Sequence, residues 1–179
     1  MTRFIFEEMA NADDDEVFVE DMNEYPGYAI HSNGTVQNTL TGKFLKPSVD
    51  GNGYYFIGIK NTAGETKNAR INVLMGKYFL KNPENKPIVD HIDRNRLNNN
   101  LNNLRWATYS ENNMNKGLQT NNTSGYPGVR WHARDKKWVA QIKIDKHQLH
   151  LGYFDSIQQA VNTRNAKARE LFGTFYADI

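Results

Sequence analysis

Two neighbouring residues of complementary chemistry stand in the middle of the chain: Asp90, whose carboxylate suits a hard divalent cation, and His91, whose imidazole can take a proton near neutral pH. Val89-Asp90-His91-Ile92 reads as a short strand, on which adjacent side chains project to opposite faces. The two therefore cannot share one role. At a strand end they could embrace a phosphodiester, one holding a metal while the other polarises a water on the side of attack. Further on, Thr108 and Glu111 have capping-box spacing, which predicts a helix from Tyr109 to Lys116 stopped by Gly117. That helix contains Asn112, Asn113 and Asn115, each costing roughly a few tenths of a kcal/mol relative to Ala. Something other than helix propensity put them there. The amide oxygen of Asn112 could complete a carboxylate-plus-amide site for magnesium, manganese or calcium.

The elements that must position these residues are legible in outline. Ile71, Leu74, Met75, Tyr78 and Phe79 recur at helical spacing, so a helix is predicted over 70–80, ended by Asn82-Pro83. Before it, from Val17 to Lys60, Tyr25-Pro26-Gly27, Ser32-Asn33-Gly34 and Asp50-Gly51-Asn52-Gly53 punctuate β-prone runs such as Tyr54-Tyr55-Phe56-Ile57-Gly58-Ile59. A small antiparallel sheet is expected there.

Strand, loop, strand and short helix, with Asp-His at the start and Asn at the end, resembles the HNH endonucleases of the ββα-metal fold. The resembling stretch is IVDHIDRNRLNNNLNNLRWATYSENNMNK, residues 88–116. Position by position, the resemblance makes His91 the general base and Asp90 a metal ligand. It makes Asn103 the amide that pins the loop and orients the histidine, and Asn112 the second metal ligand, with Asn115 a weaker candidate. It implies hydrolysis of a phosphodiester assisted by one divalent ion, Mg2+ or Mn2+, with neutral His91 taking the proton from the attacking water. Two departures stand out. Relatives usually place Gly where this chain has Arg94, and often His-Arg where it has Ala69-Arg70. Gly readily supplies a positive φ, so Arg94 must bear strain or use another turn. Arg70 stays available as a phosphate clamp. The segment EDMNEYPGYAIHSNGTVQN, residues 20–38, resembles the small module often attached to phage HNH homing nucleases, which implies that it braces the nuclease and touches DNA; its turns, poor in Arg and Lys, favour bracing.

Past the polar segment LQTNNTS (118–124), strand-like runs near 126–132, 137–144 and 147–154 precede a helix over 157–172. Ser156 and Gln159 have capping-box spacing at its start, and Gly173 ends it. Ile157, Ala160, Val161, Ala168, Leu171 and Phe172 lie along one helix face. Trp138, Ala140, Ile142 and Ile144 alternate with Gln141 and Lys143; Leu149 and Leu151 oppose Gln148 and His150; Val129 and Trp131 oppose Arg130 and His132. One sheet face is core and the other polar. Gly128-Val129, Trp138-Val139-Ala140, Leu151-Gly152-Tyr153-Phe154 and the Ala-spaced helix resemble the DNA-binding domain of plant ethylene-response factors. That resemblance implies a polar face entering the major groove, with Arg130, His132, Gln141, Lys143, Gln148 and His150 reading bases. Arg134, Lys136 and Lys137, in the first hairpin turn, would hold phosphates.

Composition agrees with a polyanionic partner. The first 24 residues hold nine acidic side chains against Arg3 alone, a net of −8, so the +2 of the whole chain leaves +10 on the remainder. Such a surplus attracts nucleic acid through counterion release. Zero cysteines exclude disulfides and thiolate zinc ribbons. No apolar run approaches the roughly 18 residues of a membrane span. The sequence therefore predicts an α+β protein with an acidic flexible tail (1–16), a small N-terminal β-module (17–60), an HNH nuclease (61–117), a linker (118–124) and an ethylene-response-factor-type reader (125–179) built as a three-stranded antiparallel sheet on one helix. It would be a site-directed endonuclease of double-stranded DNA, a phage or bacterial homing enzyme. It would work as a monomer or weak dimer in the cytoplasm of an infected or host bacterial cell, without membrane contact. The competing expectation is a catalytically degenerate protein that only binds DNA.

Overall fold

The turn clusters before residue 60 each close a hairpin. Strands β1 (Val19–Asp21), β2 (Tyr28–His31) and β3 (Val36–Asn38) form one antiparallel sheet in that order. A second antiparallel sheet joins β4 (Ser48–Val49), β5 (Tyr55–Lys60) and β6 (Thr66–Arg70). Two sheets thus stand where the sequence suggested one. The unexpected strand, β6, reads Thr-Lys-Asn-Ala-Arg, and its first three side chains are exposed at a sheet edge. Apolar alternation cannot signal a strand that buries so little. Between β4 and β5, Asp50 ties the turn: its Oδ1 accepts from the Asn52 and Tyr54 N–H groups at 2.8 and 3.0 Å.

The computed structural model describes residues 17–118, 120–145 and 147–176, so the acidic tail at 1–16 lies outside the described residues. The chain divides into two compact units, Met1–Ala107 and Thr108–Ile179. In the first, helix α1 (Ile71–Phe79) follows β6 directly and presents Ile71, Leu74, Met75 and Phe79 to one core shared with Ile30, Val36, Ile57 and Ile59. Strands β7 (Ile88–His91) and β8 (Leu104–Ala107) pair antiparallel beside it and add Val89 and Leu104 to that core. Gly76 permits this approach: a Cβ there would stand 2.4 Å from Val89 Cγ2, well inside contact distance. Asn72 Nδ2 donates to the Val89 carbonyl at 3.2 Å, and Trp106 Nε1 to the Leu80 carbonyl at 3.3 Å. One helix thereby fixes both strands.

The second unit opens with helix α2 (Tyr109–Met114), whose capping box is present in full: Thr108 Oγ1 accepts from the Glu111 N–H, and the Glu111 carboxylate accepts from the Thr108 N–H. It ends before the predicted Lys116, whose N–H turns to the Asn113 carbonyl at 3.3 Å, the tighter closure of a last turn. Strands β9 (Val129–His132), β10 (Lys137–Ile144) and β11 (His147–Phe154) form an antiparallel sheet with β10 central, and α3 (Ile157–Phe172) packs across it through Ala160, Val161, Ala168 and Phe172. These are the strands and helix anticipated, but the cap differs. Ser156 Oγ accepts from the Gln158 N–H at 3.2 Å, so the cap is a serine closing on the second residue rather than the Ser156/Gln159 box. Gly128 is demanded by space, since a Cβ there would fall 2.2 Å from the Gln141 carbonyl oxygen. Among the described residues, no helix is long and apolar enough to cross a membrane.

Candidate active site

Register decides what Asp90 and His91 meet. Asp90 lies directly across β7–β8 from Arg105, whose Nε and Nη2 both donate to Asp90 Oδ2, at 3.0 and 2.9 Å. Its side chain is 8% exposed and that of Arg105 16%, so this is an ion pair largely withdrawn from water. His91, one residue on, turns elsewhere as strand geometry requires. Its Nε2 lies 3.0 Å from Asn99 Oδ1, and its ring sits 5.8 Å from that of Tyr54, in the second sheet's β4–β5 turn. Burying a carboxylate and an imidazole on adjacent positions costs solvation that only specific partners offset. Both have them.

The loop between β7 and β8 is asparagine-rich because it is built from side-chain turns. Asp93 Oδ1 accepts from the Asn95 N–H, Asn95 Oδ1 from the Leu97 N–H and Asn100 Oδ1 from the Asn102 N–H, at 2.8, 3.2 and 2.9 Å. Each closes a short side-chain turn of the kind Asn and Asp favour. Asn103 locks the ends together: its Nδ2 donates to Asp93 Oδ1 and to the Asn98 carbonyl, and its Oδ1 accepts from the Asp93 N–H. The loop-pinning half of its expected role matches these bonds, whereas the amide that meets the histidine ring is Asn99. Burial pushes the Asp93 carboxyl up, but hydrogen bonds from Asn98, Asn103 and the Asn95 backbone, with His91 nearby, outweigh it and hold the group below its ordinary value. Arg94 adopts φ +65°, the conformation a glycine would have supplied, and its N–H donates to the His91 carbonyl at 3.0 Å. The turn survives the substitution.

Residues 81–114 match the family model described as HNH endonuclease, a stretch that takes in β7, the asparagine loop, β8 and α2. An uncharacterized HNH endonuclease of Acanthamoeba polyphaga mimivirus is 39% identical over 85 residues, 48% of this chain and 26% of that protein. The DNA endonuclease I-HmuI of Bacillus phage SP01 is 34% identical over 102 residues, 55% of this chain and 58% of the phage protein. Protein 3.8 of Escherichia phage T7 is 33% identical over 87 residues, 49% of this chain and 71% of its relative. Over residues 81–114 the chain is similar to the HNH endonucleases. It spans less than two thirds of the mimivirus and SP01 relatives it matches.

HNH nucleases use a divalent metal ion. Among the described residues no cluster of three or more His, Asp or Glu side chains could hold one. The two sequence-predicted ligands are placed each within its own unit: Asp90 is buried on β7 in the first, and Asn112 is half-buried on α2 in the second. A carboxylate and an amide are both oxygen donors of the kind a hard divalent cation takes. Asn115, at the end of α2, is buried.

Beyond this HNH segment, the sheet of the second unit gathers the other sequence candidates on one face. Arg130 pairs with Val139, His132 with Lys137, Gln141 with His150 and Lys143 with Gln148, and Gln148 Nε2 donates to Gln141 Oε1 at 2.6 Å. The register slips between Ala140 and Gln141, leaving Leu151 as the extra residue on β11. Tyr153, which the alternation argument passed over, therefore lands between His132 and His150, its ring 5.7 and 4.9 Å from theirs. A bulge cannot be read from alternation, and that is why Tyr153 was missed. Arg134 and Lys136 are exposed in the β9–β10 turn, where Lys136 takes φ +49°. Arg105, Asn99 and Tyr54 were missed for a related reason: each is identified by cross-strand register or loop closure, not by a motif of its own.

Proposed function

We propose that this chain hydrolyses phosphodiester bonds in double-stranded DNA, as a site-directed endonuclease of the homing type from a phage or bacterial setting, acting inside the bacterial cell. The observation that carries this reading is the buried Asp90-His91 pair, each member held by a different partner, in a stretch that matches the HNH endonucleases. His91 is the general base, taking the proton of the attacking water at its ring nitrogen. Asn99 and Tyr54 fix the orientation of the ring, and Asn103 holds the loop that carries Asn99. Arg105 steadies the Asp90 carboxylate. Asp90 and Asn112 would hold the divalent ion, most simply Mg2+, which when bound neutralises charge on the phosphate and on the leaving oxygen.

The polar face of the second unit, with Arg130, His132, Gln141, Lys143, Gln148 and His150, is the duplex reader in this proposal, and Arg134 and Lys136 hold phosphates beside it. Domain boundaries follow the same reading: an N-terminal brace (17–60), the nuclease (61–117) and, after the 118–124 segment, the reader (125–179). One HNH centre per chain makes a nick the product of a monomer.

The test is digestion of plasmid and phage DNA with magnesium or manganese, comparing the wild type with His91→Ala. We expect cleavage by the wild type and a loss of about 10²- to 10⁴-fold in the variant. Equal inactivity of both would leave the competing reading, a degenerate DNA binder. The departure that most favoured that reading, Arg94, no longer does so, because Arg94 reaches the glycine-like conformation.

A further inference from the structure

The β4–β5 turn brings two arginines onto a tyrosine beside the general base. The Arg70 guanidinium carbon lies 4.4 Å from the centre of the Tyr54 ring and that of Arg96 lies 5.1 Å from it, while the same ring is 5.8 Å from His91. Both cations are arrested. Arg70 donates through Nε to Asp50 Oδ2 at 2.7 Å, with Nη2 at 2.6 Å from the same oxygen. Arg96 Nη1 donates to the Asn52 carbonyl at 2.6 Å. The Asp50 carboxyl is held below its ordinary value, first by the Tyr54 backbone N–H against some burial, then by Arg70 and the Asn52 N–H, so the pin keeps its charge.

The two arginines differ in their charge balance. Asp50 cancels Arg70, whereas Arg96 has no carboxylate partner among the described residues and is exposed. A guanidinium fixed by a neutral carbonyl and the face of an aromatic ring keeps further N–H donors and its whole charge for an anion, and its planar fork matches phosphate oxygens. Its ordering is already built into the fold, so less rotamer entropy is lost when an anion arrives.

Resting on the nuclease reading above, we propose that Arg96, seated on Tyr54 and seconded by Arg70, is a phosphate-binding site for the backbone of the cleaved strand, placed to hold that strand against the His91 side of the centre. Asp50, Asn52 and Tyr54 are its positioning residues. The part the N-terminal module plays here is indirect: its β4–β5 turn sets the two cations beside the centre.

The experiment measures binding of the full chain to a mixed-sequence duplex without divalent metal, across a series of salt concentrations, beside cleavage with magnesium. Loss of one phosphate contact lowers the slope of log affinity against log salt by about 0.9. Arg96→Ala is expected to show that reduction, Arg96→Lys to keep the wild-type slope, and Tyr54→Leu to follow Arg96→Ala while Tyr54→Phe does not. Arg96 is exposed on a loop, so its variants test binding without touching the core. If the wild type cuts and binds duplex DNA but Arg96→Ala keeps its full slope, this site is overturned and the nuclease reading stands. If the wild type neither binds nor cuts, both fall.

Discussion

The β7–β8 hairpin and the β9–β10–β11 sheet carry polar side chains in opposite ways. In the hairpin Asp90 and His91 are buried, and the exposed and half-buried polar groups of its loop are tied to one another. Asp90 is matched by Arg105, His91 meets Asn99, and the loop above closes on itself through Asp93, Asn98 and Asn103. In the sheet they stand on an open face, with Arg130 and Lys143 exposed and the Gln141 side chain bonded sideways to Gln148. Chemistry at a phosphodiester needs groups held within a fraction of an ångström, which burial and second partners enforce. Reading a duplex needs groups free to meet base edges, which exposure supplies. The same polar residue types therefore carry very different energetic weight in the two regions.

The comparison breaks most sharply at Arg105. Removing its guanidinium breaks a largely buried ion pair from one side, a loss in the range of about 3–5 kcal/mol. Arg105→Ala should show it as a large fall in the urea or thermal midpoint, together with loss of cleavage. A variant as stable as the wild type would mean that Asp90 is far better solvated than its 8% exposure implies.

How much of this was legible follows from the same distinction. The Asp-His pair, the capping box on α2 and the stripe on α1 are local patterns, and local patterns survive in a sequence. The helix spacing of Ile71, Leu74, Met75 and Phe79 and the Thr108/Glu111 cap appear as anticipated. Arg105 could not be found without knowing that a twelve-residue loop returns the chain in register opposite Asp90. Tyr54 lies in a turn of another sheet and reaches His91 only through tertiary packing. Strand β6 was invisible because an exposed edge needs no apolar alternation. Asn103 was legible as a loop pin, but its separation from the histidine ring, which Asn99 meets instead, depends on how the side-chain turns of the loop close.

A smaller effect tests how rigid the hairpin loop is. Arg94 sits at φ +65°, where an L side chain costs roughly 1–2 kcal/mol, while a glycine would lose about 0.5–1 kcal/mol more backbone entropy on folding. Arg94→Gly should therefore stabilise the protein by less than about 1 kcal/mol and leave the cleavage rate within about twofold. A stable variant with lost cleavage would instead assign the guanidinium a part in binding substrate.

The smallest stability effect is expected on the open face, and there it should be separable from function. Lys143 is exposed on β10 opposite Gln148, and among the described residues it has no buried partner to leave unsatisfied. Lys143→Ala should shift the folding free energy by no more than about 0.5 kcal/mol. Duplex binding should nevertheless weaken, either with a salt slope lower by about 0.9 if Lys143 meets a phosphate, or with relaxed sequence preference at one position if it meets a base edge. Binding unchanged in both respects would remove Lys143 from the reader. A stability loss comparable to that of Arg105→Ala would overturn the contrast itself, because it would show that the sheet face is as tightly committed to the fold as the buried hairpin.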